Sequence, residues 1–156
     1  MRVRVIAIGQ RLPGWAQAGL NEYLKRLGRG LPLDIVELPA EPRRGGRTPV
    51  QMMQAEAQRI EAQLSPGIRR IVLDEHGSAW TTARLAQGLQ SWRADGRDVA
   101  FIIGGPDGLA QSVKARAEFT LQLSALTLPH ALARVVLVEQ LYRARSILDN
   151  HPYHRE

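Results

Sequence analysis

Five short apolar runs, each ending at a loop and separated from the next by a stretch of helical character, constrain this chain more than any other feature. The runs are "RVRVIAIG" (2–9), "LDIVEL" (33–38), "RRIVLD" (69–74), "DVAFIIGG" (98–105) and "FTLQLS" (119–124). Strands separated by helices cannot pair through two-residue hairpins; they pair in parallel through crossovers. Near-continuous apolar runs are also the mark of strands buried on both faces. The pattern predicts one α/β domain over residues 1–156, a mostly parallel sheet with helices on both faces.

The intervening segments read as helices. From about Pro13 to Leu27, residues Trp15, Gly19, Tyr23 and Leu27 recur every four positions, which predicts that they share one slowly drifting face. The second helix carries its own start signal: Thr48 as cap, Pro49 in the first turn, and Gln51 completing a Thr-x-x-Gln box. Val50, Met53, Ala57, Ile60 and Leu64 are its expected apolar stripe. A third helix is expected from about Thr82 to Ala94 with Leu85, Leu89 and Trp92 inward, a short one after Gly108, and a long one from about Ala131 to Asp149.

Composition excludes several classes. No apolar run approaches the roughly 20 residues that span a bilayer, and no signal peptide is evident after Arg2 and Arg4, so no membrane role and a cytoplasmic location are expected. With no cysteine and four histidines lacking metal-like spacing, thiolate chemistry is excluded and no metal is expected. The 156 residues carry net charge +6, and 19 of the 21 basic residues are arginine. Arginine's planar fork suits phosphate, so a nucleic-acid partner is plausible, although a genomic composition bias gives the same excess. Arg43, Arg44 and Arg47 lie in a Gly/Pro loop of the kind that grips a phosphate backbone or simply faces solvent.

Open parallel sheets bind ligands beyond the carboxyl ends of their strands. Three loops stand there: "VLDEHG", "IIGGPDGL" and "LSALTLPHALAR". The glycine loop is neither a Walker motif nor a dinucleotide fingerprint. Gly104 and Gly105 permit close backbone approach, Pro106 stiffens the turn, and Asp107 is a candidate cap for the next helix; a plain tight turn has the same residues. Ser124 to His130 is apolar where a loop is expected to be polar, which suits an adenine read by main-chain groups, or a loop covered by a neighbour. In the last helix Glu139 and Arg143 are four apart beside Tyr142, and the helix runs into "NHPYHRE". Such costly side chains at a terminus need a reason.

Taken in order, "RVRVIAIGQRLPGWAQAGLNEYLKR", "LPAEPR", "LDEHGSAWTTARLA", "DVAFIIGGPDGL", "LSALTLPHALARVVLVEQLYRA" and "NHPYHRE" closely resemble the RlmH family over essentially the whole chain. These are small SPOUT-type methyltransferases acting on N3 of a pseudouridine in 23S rRNA, in the ribosome or its large subunit. The resemblance implies a C-terminal trefoil knot, a homodimer, and S-adenosyl-L-methionine as cofactor. Carried over by motif, the cofactor contacts are Leu73, Gly105, Ser124, Ala125, Leu126, Thr127, Leu128 and Pro129. Arg145 departs from the tryptophan expected in some relatives, which bears on RNA contact.

An imide nitrogen must lose its proton to accept a methyl group, so the reaction needs a base or a stabiliser of the anion. His154 is the candidate base, Arg155 the anion stabiliser and Tyr153 a stacking face, with Arg143 as a further catalytic candidate. Two other classes compete. A non-catalytic ribosome- or RNA-binding module accounts for the arginines and the tail but not for three ligand loops. A phosphate-handling enzyme accounts for the glycine loop but lacks a lysine near it.

Overall fold

The computed structural model describes residues 1–9 and 11–155. In chain order the elements are β1 (Val3–Ile8), α1 (Gly14–Leu27), β2 (Leu33–Leu38), α2 (Pro49–Glu61), β3 (Arg69–Ala79), α3 (Thr82–Asp95), β4 (Val99–Ile103), α4 (Gln111–Ala115), β5 (Phe119–Gln122) and α5 (His130–Leu148). The sheet order is β2-β1-β4-β3-β5, and every pairing is parallel.

Both faces of the sheet are buried, as the uninterrupted apolar runs require. Alternate residues of β1 and β4 serve two cores: Val3, Val5, Ala7, Val99 and Phe101 pack toward α1, α3 and α5, whereas Ile6, Ile8, Ala100 and Ile102 pack toward α2 and α4. Leu85, Leu89 and Trp92 of α3 face inward as expected. The α2 capping box forms fully, with Thr48 accepting the Gln51 N–H and Gln51 accepting the Thr48 N–H. No helix among the described residues is long and apolar enough to cross a membrane.

Three expectations are corrected. Trp15 is 58% exposed, and the buried face of α1 is Ala16, Leu20 and Leu27. A step of four residues turns a helix about 40° past a full turn, so three such steps carry Trp15 far from the face of Leu27. Val50 in α2 is likewise exposed, and Met52 and Glu56 join Ala57 and Ile60 inside. Asp107 caps nothing: position 110 is the N-cap of α4, without a side-chain bond, and Asp107 pairs with Arg43.

Strand ends position the loops. β3 runs on to Ala79, with its register against β5 shifting between Leu73 and Ser78. A Cβ at Gly77 would lie 2.7 Å from the Thr120 carbonyl carbon, so the backbone passes there only as glycine. The shift takes Asp74, Glu75 and His76 out of the ladder with β5. β4 stops at Ile103 and β5 at Gln122, earlier than the apolar runs suggested, which releases Gly104, Gly105, Leu123 and Ser124 into loops.

Candidate active site

At the carboxyl ends of β3, β4 and β5 the three loops enclose a cleft of about 630 Å³, within the range of small-molecule sites. Leu73, Gly105, Ser124, Ala125, Leu126, Thr127 and Leu128 all line it. Pro129 does not; it stands at the N-cap of α5, just behind the lining.

The glycine loop closes on itself: Gly105 and Gly108 bridge, and the Gly108 N–H donates to the Gly105 carbonyl at 2.9 Å. Gly108 has φ +84°, which favours glycine. A Cβ at Gly105 would point away from ligand space, 2.9 Å from the Ile8 Cγ2 and 3.3 Å from the Glu56 Oε1. Glycine at 105 is therefore required by the packing beneath the loop. Glu56 itself is buried; one carboxylate oxygen accepts the Glu41 N–H at 3.0 Å and the other has no partner among the described residues.

In the loop of residues 124–128, the Ser124 Oγ accepts the Leu126 N–H at 3.0 Å. This folds the segment into a short apolar wall with Leu126 77% exposed. The charged lining comes from elsewhere: carboxylates of Asp74, Glu75 and Asp107, the ammonium of Lys114, and His76 and His130. Burial alone would raise the Asp74 carboxyl, but the bond from Lys114 and the His76 N–H outweigh it and hold it below the usual range. Burial, with the nearby Arg134, pushes His130 down, favouring its neutral form. Behind the cleft, Arg134 is only 2% exposed and donates to the carbonyls of Gly9 (2.6 Å) and Ile8 (3.3 Å), tying the start of α5 to the end of β1.

The tail folds back against α1 and α5. Asn150 at φ +53° ends α5; the His151 N–H reaches the Ser146 carbonyl and the Asn150 N–H the Ile147 carbonyl, the paired bonds of a Schellman motif. Tyr153 then stacks edge-on against Tyr142 (4.6 Å between centroids), donates to Glu139 at 3.0 Å, and lies under the Arg143 guanidinium at 4.7 Å. Burial, with the hydrogen bonds to Tyr23 of α1 (3.3 Å) and to Glu139, pushes its hydroxyl well above the ordinary tyrosine value, so it stays protonated. His154 is half-buried, with Nδ1 turned inward and without a partner among the described residues, while Arg155 and His151 are exposed.

The structure thus brings Tyr142, Arg143 and Tyr153 together, with His154 and Arg155 next along the chain, but none of these lines the cleft. Arg143 is 13 residues along α5 from His130, about 20 Å at 1.5 Å per residue. Arg145, where the expected pattern has tryptophan, bonds to Asp149 and to the Leu27 carbonyl, fastening α5 to the end of α1. Sequence reasoning also missed Lys114, which supplies the very lysine thought absent near the glycine loop; its signal was scarcity, one of two lysines in the chain. Asp74 was quoted within a ligand loop without a role, and nothing in the pattern announced the buried Arg134.

A family model described as "Predicted SPOUT methyltransferase" matches residues 1–154. The chain is 55% identical over 155 residues to ribosomal RNA large subunit methyltransferase H of Bordetella pertussis, covering 99% of both chains. It is 53% identical over the same length, with the same coverage, to the protein of that name in Burkholderia mallei. In fold it is similar to a probable methylase family protein from Haemophilus influenzae, at TM-score 0.57 and 14% identity, covering 99% of this chain and 70% of that one. A probable methyltransferase from Bordetella pertussis also superposes at TM-score 0.57, with 20% identity and coverage of 92% and 95%.

Proposed function

The chain belongs to the SPOUT methyltransferase family, and from that premise we propose that it transfers a methyl group from S-adenosylmethionine to N3 of a pseudouridine in 23S ribosomal RNA. The observation that carries this reading is the meeting of three strand-end loops in one cleft whose charge is acidic within a chain of net charge +6. Asp107 is paired with Arg43 and Asp74 with Lys114, so the lining offers no unpaired lysine or arginine, which suits a cationic sulfonium ligand and disfavours a polyphosphate. The uncharged loop of residues 124–128 offers main-chain groups and apolar atoms to an adenine.

When bound, the cofactor supplies a methyl group on positively charged sulfur, already activated for displacement. The chain must therefore position the acceptor and manage its proton. His154 accepts the imide proton, Arg155 and Arg143 neutralise charge on the flanking carbonyl oxygens, and Tyr153 offers its ring to the base. The protonated Tyr153 hydroxyl is a donor and not a base at working pH.

The tail lies far from the cleft of its own chain, so a homodimer in which each tail completes the partner's cleft fits the reaction. Trp15 at the start of α1 and Leu132 at the start of α5, 58% and 37% exposed, supply apolar side chains for that contact. The C-terminal loop and α5 would carry the trefoil knot of the family. The substrate is the ribosome or its large subunit, in the cytoplasm, and Arg43, Arg44 and Arg47 add backbone contacts.

Labelled methyl donor offered with naked 23S rRNA, large subunits and assembled ribosomes tests the function, with the modified nucleoside mapped by mass spectrometry. Label at N3 of pseudouridine in one of them is expected. Label in none, or on another nucleoside, would overturn the reading.

A further inference from the structure

The cleft holds a charge pair that the proposed chemistry leaves unused. Asp74, from the shifted part of β3, meets the Lys114 Nζ of α4 at 2.6 Å and accepts the His76 N–H at 2.8 Å. The Asp74 side chain is 11% exposed and that of Lys114 32%. Burying an ion pair to this degree adds little net stability over an apolar pair, so folding alone gives it no purpose.

The choice of cation narrows the ligand. The chain uses arginine at 19 of its 21 basic positions, yet lysine stands in the cleft. An ammonium is a compact point charge with three rotatable donors, so it holds the Asp74 carboxylate and still has donors for a second anion. Asp74 also neutralises this ammonium, so the pair presents a fixed dipole with no net charge. The complement of a carboxylate beside an ammonium is an ammonium beside a carboxylate, the zwitterion of an α-amino acid. Set against Asp74 and Lys114, its two groups make four charges alternate in sign, each within a partly desolvated site where such bonds are strong.

We infer that Asp74 and Lys114 form the subsite for the amino-acid end of the methyl donor, an inference that rests on the methyl-donor reading above. Asp74 receives the ligand ammonium and Lys114 its carboxylate, leaving the nucleoside to the loop of residues 124–128. The pair thereby selects a nucleoside that carries an amino acid over one that does not.

Calorimetric titration with two neutral thioethers isolates this end. S-adenosylhomocysteine keeps the amino acid; 5′-methylthioadenosine lacks it. Lys114→Gln is expected to weaken S-adenosylhomocysteine at least roughly tenfold and to leave 5′-methylthioadenosine within about twofold. Asp74→Asn, which keeps an acceptor for the His76 N–H, is expected to show the same selectivity and stands in should Lys114→Gln fail to fold. Equal losses for both ligands would make the pair a wall of the cleft and overturn the inference, as would no loss for either. Failure of the unaltered protein to bind either ligand would overturn the methyl-donor reading itself.

Discussion

Gly105 shows how a residue can be essential at a site without meeting the ligand. Its missing Cβ leaves room for Ile8 and the Glu56 carboxylate beneath the glycine loop, so Gly105→Val loads the core. A loss of about 1–3 kcal/mol of stability is expected from overpacking, with methyl-donor affinity falling because the loop shifts. Denaturant unfolding and calorimetry on the same sample check this; weakened binding at unchanged stability would show that the side chain enters the cleft instead. Lys114 and Asp74 make the opposite case, since both line the cleft and neither was singled out by motif.

Among the elements, the amino end of the sheet is held by a charge network. Arg69 of β3 bonds to Asp95 of α3 and to Glu118 before β5, and Arg97 also pairs with Glu118. Burial would raise the Glu118 carboxyl, but Arg97 and Arg69 outweigh it and lower it. A carboxylate lowered in the fold contributes stability that is complete above its unfolded value, about 4.3, and is lost as pH falls through the lowered folded value. Melting temperature should therefore drop along an acid limb below about pH 4.3, and Glu118→Gln should flatten that limb. An unchanged limb in the variant would remove Glu118 from the account. The tail makes the other prediction at this scale. Its return is set by the Schellman bonds at Asn150 and by Tyr153 on Tyr142 of α5. Deleting residues 151–156 should leave folding, dimerisation and cofactor affinity nearly intact while abolishing methyl transfer. Near-normal turnover in the truncated protein would refute a catalytic tail; turnover falling only in step with stability or dimer affinity would make it a packing element.

For the whole molecule, charge is divided by function: the surface is arginine-rich while the cleft is acidic. The basic loop joins the two, because Arg43 pairs with Asp107 of the glycine loop and Arg47 with Glu41. Arg44 makes no ion pair among the described residues. RNA affinity should fall steeply with salt, and Arg44→Gln should lower the log–log slope by about one unit for each phosphate it no longer neutralises. Neutralising Arg43 and Arg47 as well should lower it further, but by less per residue, since each already has a carboxylate. Filter binding across a salt series measures the slope, and a slope unaffected by all three substitutions would reduce the loop to a solvated turn.

The sequence by itself determined what local chemistry and periodicity can specify. Apolar runs and turn residues placed all five strands, Thr48 and Gln51 marked the start of α2, and strand-end logic picked the three loops that became the cleft. It failed where the outcome depended on partners distant along the chain. Trp15 turned outward because the drift of a helix face is resolved only by what packs against it. β3 ran past Asp74 because β5, some 45 residues later in the chain, offered a second register. Asp74 and Lys114 met because a strand and a helix 40 positions apart converge at one sheet end. Likewise Tyr153 packs on Tyr142 and Arg143, yet Arg143 stands 13 residues along α5 from the cleft-lining His130. A side chain's identity is local, whereas its distance from a site is a property of the folded chain; only the tertiary structure decided the latter.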